Sequence, residues 1–488
     1  MYSVQNIQVN ESHPLFKWCD TITHLTNNLE NAMIYRVRQI ITGVQKEKLT
    51  CNEQEVFDEV KRACERKKKR FPDKKHFLLP YEIWDCALKL NKNSDYIAKG
   101  LPKQTAQQAI KQVLRNFKAY YAAKKKWYTD KGDMTGEPNM PAYHVKGGKC
   151  TAILTNQDCV LYKDGVKMPL TSIRCKIGKT DGRLKEAKIK PYCGIFIISF
   201  VFEQPDTAKS NLNPKRIYVI DLGVNNFAAI TNNAGLPCII FKGRAIKAVN
   251  QWFNKKLAEE LSRQTIGTAD KAKTSPVIQK ISLRRENQIS DYMHKAARQI
   301  IDSCIRNNIG SIVIGLSSDW KQGCEIGKVG NQNFVQIPFT KFIGYVQYLS
   351  ERYGIRLVVR EESYTSKASF LDGDYIPTYD KSNPEHNNYV FSGKRIKRGL
   401  YRTKSGRIIN ADLNGSANIG RKEFPQMFMT GIMPDFNNVR IFKYPDITLT
   451  DINRWQQKIL ITGKPKAAKK RQIHKAKQKV AQQVIQIG

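Results

Sequence analysis

Between Leu15 and Trp127 the apolar residues recur mainly at helical spacing. The plainest stretch is LPKQTAQQAIKQVLRNFKAYYAAKKKWY, where Ala106, Ile110, Val113, Phe117 and the pair Tyr120/Tyr121 fall on one stripe. That stripe is a packing face. Lys111, Arg115, Lys118 and Lys125 lie off it, either as a solvated basic face or as a face laid along a phosphate backbone. ERKKKRFPDKKH, from Glu65 to His76, reads as a basic loop with the same two readings. The prolines and glycines of TGEPNMPAYHVKGG, Thr135 to Gly148, end the helical pattern. Short β-rich pieces follow, TAILT, CVLYKDGVKMPL, SIRCKIG and GIFIISFVFEQP, with Asp-Gly turns among them, and predict a small barrel or sandwich.

A further boundary falls at PDTAKSNLNP, Pro205 to Pro214, and the pattern then changes. RIYVIDLGVNNFAAIT reads as a buried strand, a tight turn and a second strand, and GLPCIIFKG supplies a third. A long polar helical region runs from Ala245 to Asn308. GSIVIGL is a strand, PFTKFIGYVQYLSERYG a helix, IRLVVREES a strand, and INADLNGSANIGRK a final helix. Three consecutive strands, then helix, strand, helix, strand, helix, is the element order of an RNase H-like α/β domain. The fold class expected is therefore multidomain α+β: this α/β domain, a small β-barrel, a helical segment and a tail. The tail, GKPKAAKKRQIHKAKQKVAQQ, is basic and poor in apolar residues, so it is read as disordered or as ordering only on a polyanion.

Charge then changes the picture. Lys and Arg total 82 against 43 Asp and Glu, a formal net charge of +39 over 488 residues. Such an excess implies a large polyanionic partner, nucleic acid before a membrane surface. No signal-peptide core follows Met1, and the longest mainly apolar run, Ile195 to Phe202, is too short to span a bilayer. The 11 cysteines include no CxxC pair and are read as reduced, buried thiols of an intracellular protein. Zinc is not expected, because a Cys-ligated site would have to be assembled from distant residues.

Candidate chemistry rests on carboxylates at element ends. Asp221 ends one apolar strand, Glu361 and Glu362 end another, and Asp412 opens the last helix. Acids so placed can converge on two divalent cations about 3.5 to 4 Å apart, with Mg²⁺ the natural choice for oxygen ligands. Gly415 and Ser416 would then be small to let a sugar-phosphate backbone approach Asp412. Taken singly, Asp221 could start a turn, Asp412 could cap its helix or answer its dipole, and the glutamates could be solvated. Neighbouring strand residues face opposite ways, so one glutamate of the pair is expected to serve.

At these residues the sequence resembles the transposon-encoded TnpB proteins and the compact type V CRISPR effectors. The motifs are IDLGVNNFAAIT, IVIGLSSDWKQ, NQNFVQIPFTKFIGYVQYLSERYGI, EESYTSKASFLD and INADLNGSANIGRK, spanning Ile217 to Lys422. A weaker likeness covers LPKQTAQQAIKQVLRNFKAYYAAKK and GEPNMPAYH. The resemblance implies a RuvC nuclease domain over 213–425, a helical recognition domain over 15–128, and a β-barrel wedge domain over 129–212 whose first strand or strands lie in 1–14. A basic extension covers 426–488. By motif position Asp221 matches the first RuvC acid and Asp412 the last. The middle acid departs from the commonest pattern: many relatives carry Glu where this chain has Gly315, and in a subset the EESYTSK stretch supplies it, which points to Glu362, with Glu361 the second choice. Many relatives also place a four-Cys zinc ribbon between the last two acids, whereas 368–410 here contains no Cys.

Lys394, Arg395, Lys397 and Arg398 in that insert are read as contacts to a DNA strand, alongside Lys111, Arg115 and Lys118. Tyr364, Thr365, Ser366, Lys367, Asn414 and Ser416 are read as site support, and Trp320 as a core or hinge aromatic. The function implied is an RNA-guided, Mg²⁺-dependent DNA endonuclease using two ions. Its partners would be a guide RNA and double-stranded DNA bearing a short adjacent motif, in a cytoplasmic, nucleoid-associated monomer or homodimer with no membrane role. The alternatives are a nuclease-inactive RNA-guided DNA binder, a DDE-type recombinase and a non-enzymatic RNA-binding protein.

Overall fold

The computed structural model describes residues 2–130, 132, 134–205, 211–266, 274–316, 336–378, 389–397, 399–429 and 432–445. Arg398, Trp320 and the basic tail lie outside them. The chain forms two compact units, one of residues 1–207 with 274–280, the other of 208–273 with 281–488. No helix among the described residues is long and apolar enough to cross a membrane.

In the first unit β1 (Tyr2–Val9) is followed by α1 (Phe16–Gly43), α2 (Cys51–Lys67), α3 (Tyr81–Leu90) and α4 (Lys103–Thr129). The stripe read on α4 is its packing face, with Ala106, Ile110, Val113 and Phe117 at most 1% exposed. Then come β2 (Ala152–Thr155), β3 (Val160–Tyr162), β4 (Gly165–Lys167), β5 (Arg174–Cys175), β6 (Arg183–Tyr192) and β7 (Ile195–Glu203). They make two antiparallel sheets, β1-β7-β6-β2 and β3-β4-β5. β1 pairs with β7 along its whole length, Tyr2 against Glu203 to Val9 against Phe196. Alternation along β7 puts Phe196, Ile198, Phe200 and Phe202 inward. These join the α1 to α4 side chains in one hydrophobic cluster, so packing draws no boundary between residues 15–128 and 129–212. Cysteines among the described residues are free; Cys51 is exposed and Cys150 and Cys193 are half-buried, so not all are buried as the sequence suggested.

The second unit is built on β8 (Asn213–Leu222), β9 (Asn226–Asn232), β10 (Pro237–Lys242), α5 (Arg244–Thr265), α6 (Pro276–Arg306, of which 276–280 fall in the first unit), β11 (Ile309–Gly315), α7 (Phe339–Tyr353) and β12 (Arg356–Arg360). A small antiparallel sheet of β13 (Lys394–Lys397), β14 (Leu400–Arg402) and β15 (Ile408–Asn410) leads into α8 (Ala411–Glu423), α9 (Pro425–Met429) and β16 (Asp435–Phe442). The main sheet has the order β12-β11-β8-β9-β10-β16. β8, β9 and β10 run antiparallel in turn, while β11, β12 and β16 lie parallel to their neighbours. β16, within a stretch the sequence suggested was only a basic extension, completes this sheet beside β10.

Both faces of the sheet are covered, which is why its central strands read as continuous apolar runs. On one face Tyr218, Ile220, Ile312 and Ile314 pack with α6 and α7 side chains such as Met293, Ile300, Phe342 and Val346. On the other, Ile217, Val219 and Val313 pack with Leu413, Ala417 and Ile419 of α8. The two-residue period of a strand therefore assigns Asp221 and Gly315 to the α8 face.

Candidate active site

α8 is short of large apolar residues yet almost entirely buried. Small side chains let it lie close on the sheet. A Cβ on Gly420 would fall 2.7 Å from Val219 Cγ2, and one on Gly415 would fall 2.6 Å from Asp221 Oδ2. Gly415 is thus small because the Asp221 carboxylate fills the space beside it. Ser416 turns into the sheet, donating to Val219 O at 2.7 Å and meeting Thr231 Oγ1 at 2.8 Å. The expectation that both residues clear room for a sugar-phosphate at Asp412 is corrected accordingly.

The helix is capped by Asn410, whose side chain accepts from the N–H groups of Asp412 at 3.0 Å and Leu413 at 3.1 Å. Asp412 is therefore not the cap. Its Oδ2 accepts from Asn226 Nδ2 at 2.7 Å, and its Oδ1 lies 3.4 Å from an Arg395 guanidinium nitrogen. Lys242 Nζ donates to Asn226 Oδ1 at 2.9 Å, making a relay from the ammonium to the carboxylate. Asp221 starts no turn; it is paired with Ala229 in the ladder.

The two glutamates lie just past the end of β12 and go separate ways. Glu361 Oε2 takes an ion pair from Lys422 at 2.5 Å, and Oε1 accepts from Ser363 N at 2.6 Å. Burial opposes the charge of Glu361, but Lys422 and Ser363 outweigh it and hold its pKa below the ordinary value. Glu362 turns the other way, over Gly315. A Cβ there would lie 2.8 Å from Glu362 Oε2 and 2.5 Å from Ile419 Cδ1. The missing acid at 315 and the acid at 362 are one arrangement, since the second occupies the space the first would need.

Electrostatics join these groups. The pKa of Asp221 is raised well above the carboxylate range by burial, and further by Glu362 and Asp412, with Arg395 opposing. Glu362 is pushed up to about 7 by burial and by Glu361. Asp221, Glu362 and Asp412 all retain partial exposure. Three carboxylates stand here against the guanidinium of Arg395, an excess of negative charge suited to bound cations.

The loop after the glutamates is fastened to α8 by buried amides. Asn414 accepts from Phe370 N at 3.0 Å and donates to Ala368 O at 2.7 Å. Asn418 Nδ2 donates to Thr365 O at 2.8 Å and Ala368 O at 2.7 Å. Thr365 Oγ1 donates to Glu362 O at 2.8 Å, and Lys367 O accepts from Tyr401 at 2.8 Å. Tyr364 takes a left-handed φ of 62°, and Ser366 is exposed. Of the cations read as nucleic-acid contacts, Arg395 reaches the acids, while Lys394 and Lys397 are exposed on the same strand. In the first unit Lys111 sits 4.6 Å over the Tyr81 ring and Arg115 donates to Gln112 at 2.9 Å; Lys118 is exposed. Sequence reasoning missed Asn226 and Lys242, whose partners become visible only when β9 and β10 are paired beside α8.

The second unit is thus of a class defined by a mixed sheet with acids gathered at one end of its central strands under a close-packed helix. Comparison with known families gives this class a relation. Residues 199–321 match the OrfB_IS605 family model, described as a probable transposase, and residues 339–419 match the Cas12f1-like TNB domain. The first segment holds Asp221 and Gly315, the second Glu362 and Asp412. The resemblance to TnpB proteins and compact type V effectors is thereby shown. No curated protein matches the chain.

Among solved structures, the chain is similar to a Cas12f1–sgRNA–target DNA complex at 12% identity and TM-score 0.46, covering 83% of each chain. It is similar to the mini-RNA-guided endonuclease CRISPR-Cas_phi3 at 11% identity and TM-score 0.41, covering 86% of this chain and 92% of that one. It is also similar to Alicyclobacillus acidoterrestris C2c1 in complex with single-guide RNA at 11% identity and TM-score 0.31, covering 81% and 69%.

Proposed function

We propose that this chain is an RNA-guided endonuclease that hydrolyses DNA phosphodiesters at a RuvC-type site formed by Asp221, Glu362 and Asp412. The reading is supported by the sheet order β12-β11-β8-β9-β10, which is the RNase H-like arrangement, and by the two family matches. The observation that carries it is the exchange at Gly315, where Glu362 supplies a carboxylate to the position that the commonest pattern gives to the neighbouring strand. This also argues against the nuclease-inactive reading, which rested on Gly315.

The donor set fits hard divalent cations: three carboxylates with one guanidinium in opposition. Asp221, Glu362 and Asp412 would hold two Mg²⁺ ions, which when bound supply an activated water and stabilisation of the leaving oxygen. The chain's own residues position the rest. Asn226, backed by Lys242, holds Asp412 by one oxygen. Arg395 stands at the other oxygen, where a phosphate would meet it. A cavity of about 600 Å³ beside Asp412, lined by Asn225, Lys242, Arg244 and Arg395 among others, is a cationic berth for one DNA strand. Lys394 and Lys397 continue it.

The net charge of +39 suits a long channel for a guide RNA and its heteroduplex, with base pairing reading sequence and the protein reading a short duplex motif. In this scheme residues 15–128 serve recognition, 1–14 with 129–212 form the wedge, and the protein works inside the cell on nucleoid DNA. The test is plasmid cleavage by the purified ribonucleoprotein with Mg²⁺, using the RNA that copurifies to define the target. Glu362→Ala is expected to abolish cleavage while target binding persists. Undiminished cleavage by that variant removes Glu362 from the site; target binding without any cleavage by the unmodified protein removes the nuclease reading.

A further inference from the structure

We propose that Glu30, His144 and Cys150 form a zinc site in the first unit, separate from the carboxylate site and independent of the nuclease reading. A carboxylate oxygen, a ring nitrogen and the thiol sulfur of these residues all lie within 4.8 Å of one another. His144 Nε2 is 2.8 Å from Glu30 Oε2. Tetrahedral zinc holds nitrogen and oxygen at about 2.0 Å and sulfur at about 2.3 Å, so its ligand atoms stand roughly 3.3 to 3.7 Å apart. Binding would require the His144–Glu30 contact to open by about half an ångström and the sulfur to close in, movements of side chains alone.

The backbone carrying the ligands is already fixed. Asn31 clasps His144, accepting from its N–H at 2.8 Å and donating to its carbonyl at 3.2 Å. Asn27 donates to Val145 O at 3.2 Å and accepts from Cys150 Sγ at 3.3 Å. Cys150 N donates to Thr23 O at 3.0 Å, and Arg38 Nε donates to Pro141 O at 3.1 Å. Residues 141–150 are thereby laid along α1, with second partners in place to orient the ligands.

Chemistry selects the ion. Glu30 is only 5% exposed, and a carboxylate so buried calls for compensating charge. The mixture of thiol, imidazole and carboxylate favours zinc over magnesium, and the partial exposure of His144 and Cys150 leaves water access for a fourth ligand. Its role would be to clamp 141–150 onto α1. Conventional ligand spacing gives no hint of it, because Glu30 and His144 are 114 positions apart.

The experiment uses Co²⁺ as the probe on the full chain freed of RNA and metals. One equivalent is expected to give a thiolate-to-cobalt charge-transfer band in the near ultraviolet. Asp221, Glu362 and Asp412 offer oxygen ligands, which do not give that band. It should vanish in Cys150→Ser, weaken in His144→Ala, and persist in Glu362→Gln. Circular dichroism verifies that each variant is folded, and zinc should stabilise the unmodified chain against heat more than it stabilises Cys150→Ser. Absence of the band in the unmodified chain, or its survival in folded Cys150→Ser, would overturn the site and leave a plain His144–Glu30 ion pair.

Discussion

Glu362→Gln should make the metal-free chain more stable while ending the cleavage proposed for it. In the absence of cations Glu362 is buried near Glu361 and Asp221, and its pKa stands at about 7 against an ordinary 4.5. A carboxyl raised in the folded state binds its proton more tightly there than in the unfolded chain, so stability falls as pH rises through the interval between the two values. At about 1.36 kcal/mol per pKa unit, the loss between about pH 4.5 and 7 is ~3 kcal/mol. Glutamine keeps the shape and removes the charge. For a unit of this size ~3 kcal/mol corresponds to roughly 6 to 12 °C in melting temperature. The assay is thermal unfolding of RNA-free protein in chelator at pH 5 and pH 8. The unmodified chain should lose at least that much more than the variant between the two conditions, because removing the Glu362 charge also removes its push on Asp221. Parallel pH profiles, or a variant less stable than the parent at pH 8, would refute the placement of Glu362 among uncompensated charges.

Gly315→Ala places a methyl 2.8 Å from Glu362 Oε2 and 2.5 Å from Ile419, and is expected to lower the cleavage rate at least about 10-fold with guide binding unchanged. Glu361→Gln should leave cleavage within about threefold of the parent, since Glu361 is committed to Lys422 and Ser363; a loss equal to that of Glu362→Ala would exchange the two roles. Asn418→Ala strips a buried donor from Thr365 O and Ala368 O and should cost about 1 to 3 kcal/mol in a denaturant melt. Asn226→Ala frees one oxygen of Asp412 and the Lys242 ammonium, and should weaken cleavage more than it weakens DNA binding.

Much of the second unit was legible because its central strands are buried on both faces and its helices are amphipathic. The runs RIYVIDL, GSIVIGL and IRLVV, with their intervening helix patterns, correspond to β8, β11 and β12. The preference for Glu362 over Glu361 came from the resemblance, and the structure gives it a physical form: Glu362 shares the parity of Val358, which packs toward α8. β16 was missed because DFNNVRIF is polar, and only pairing with β10 makes it a strand. The short strands of the 368–410 insert carried too few residues to show a period. The purpose of Gly415 and Ser416 was misread for another reason: what they touch, Asp221, Val219 and Thr231, lies nearly two hundred positions away in sequence, and a close approach between distant segments leaves no local mark. The dependence of Lys242, Asn226 and Asp412 on one another is of the same kind.

The pairing of an empty position 315 with an occupied position 362 also constrains ancestry. A side chain regained at 315 would meet the ends of Glu362 and Ile419 and force them to shift, so the two positions are expected to vary together. Intermediates lacking one change or the other are crowded or lack an acid. A change at either position is therefore expected to be tolerated only with a matching change at the other.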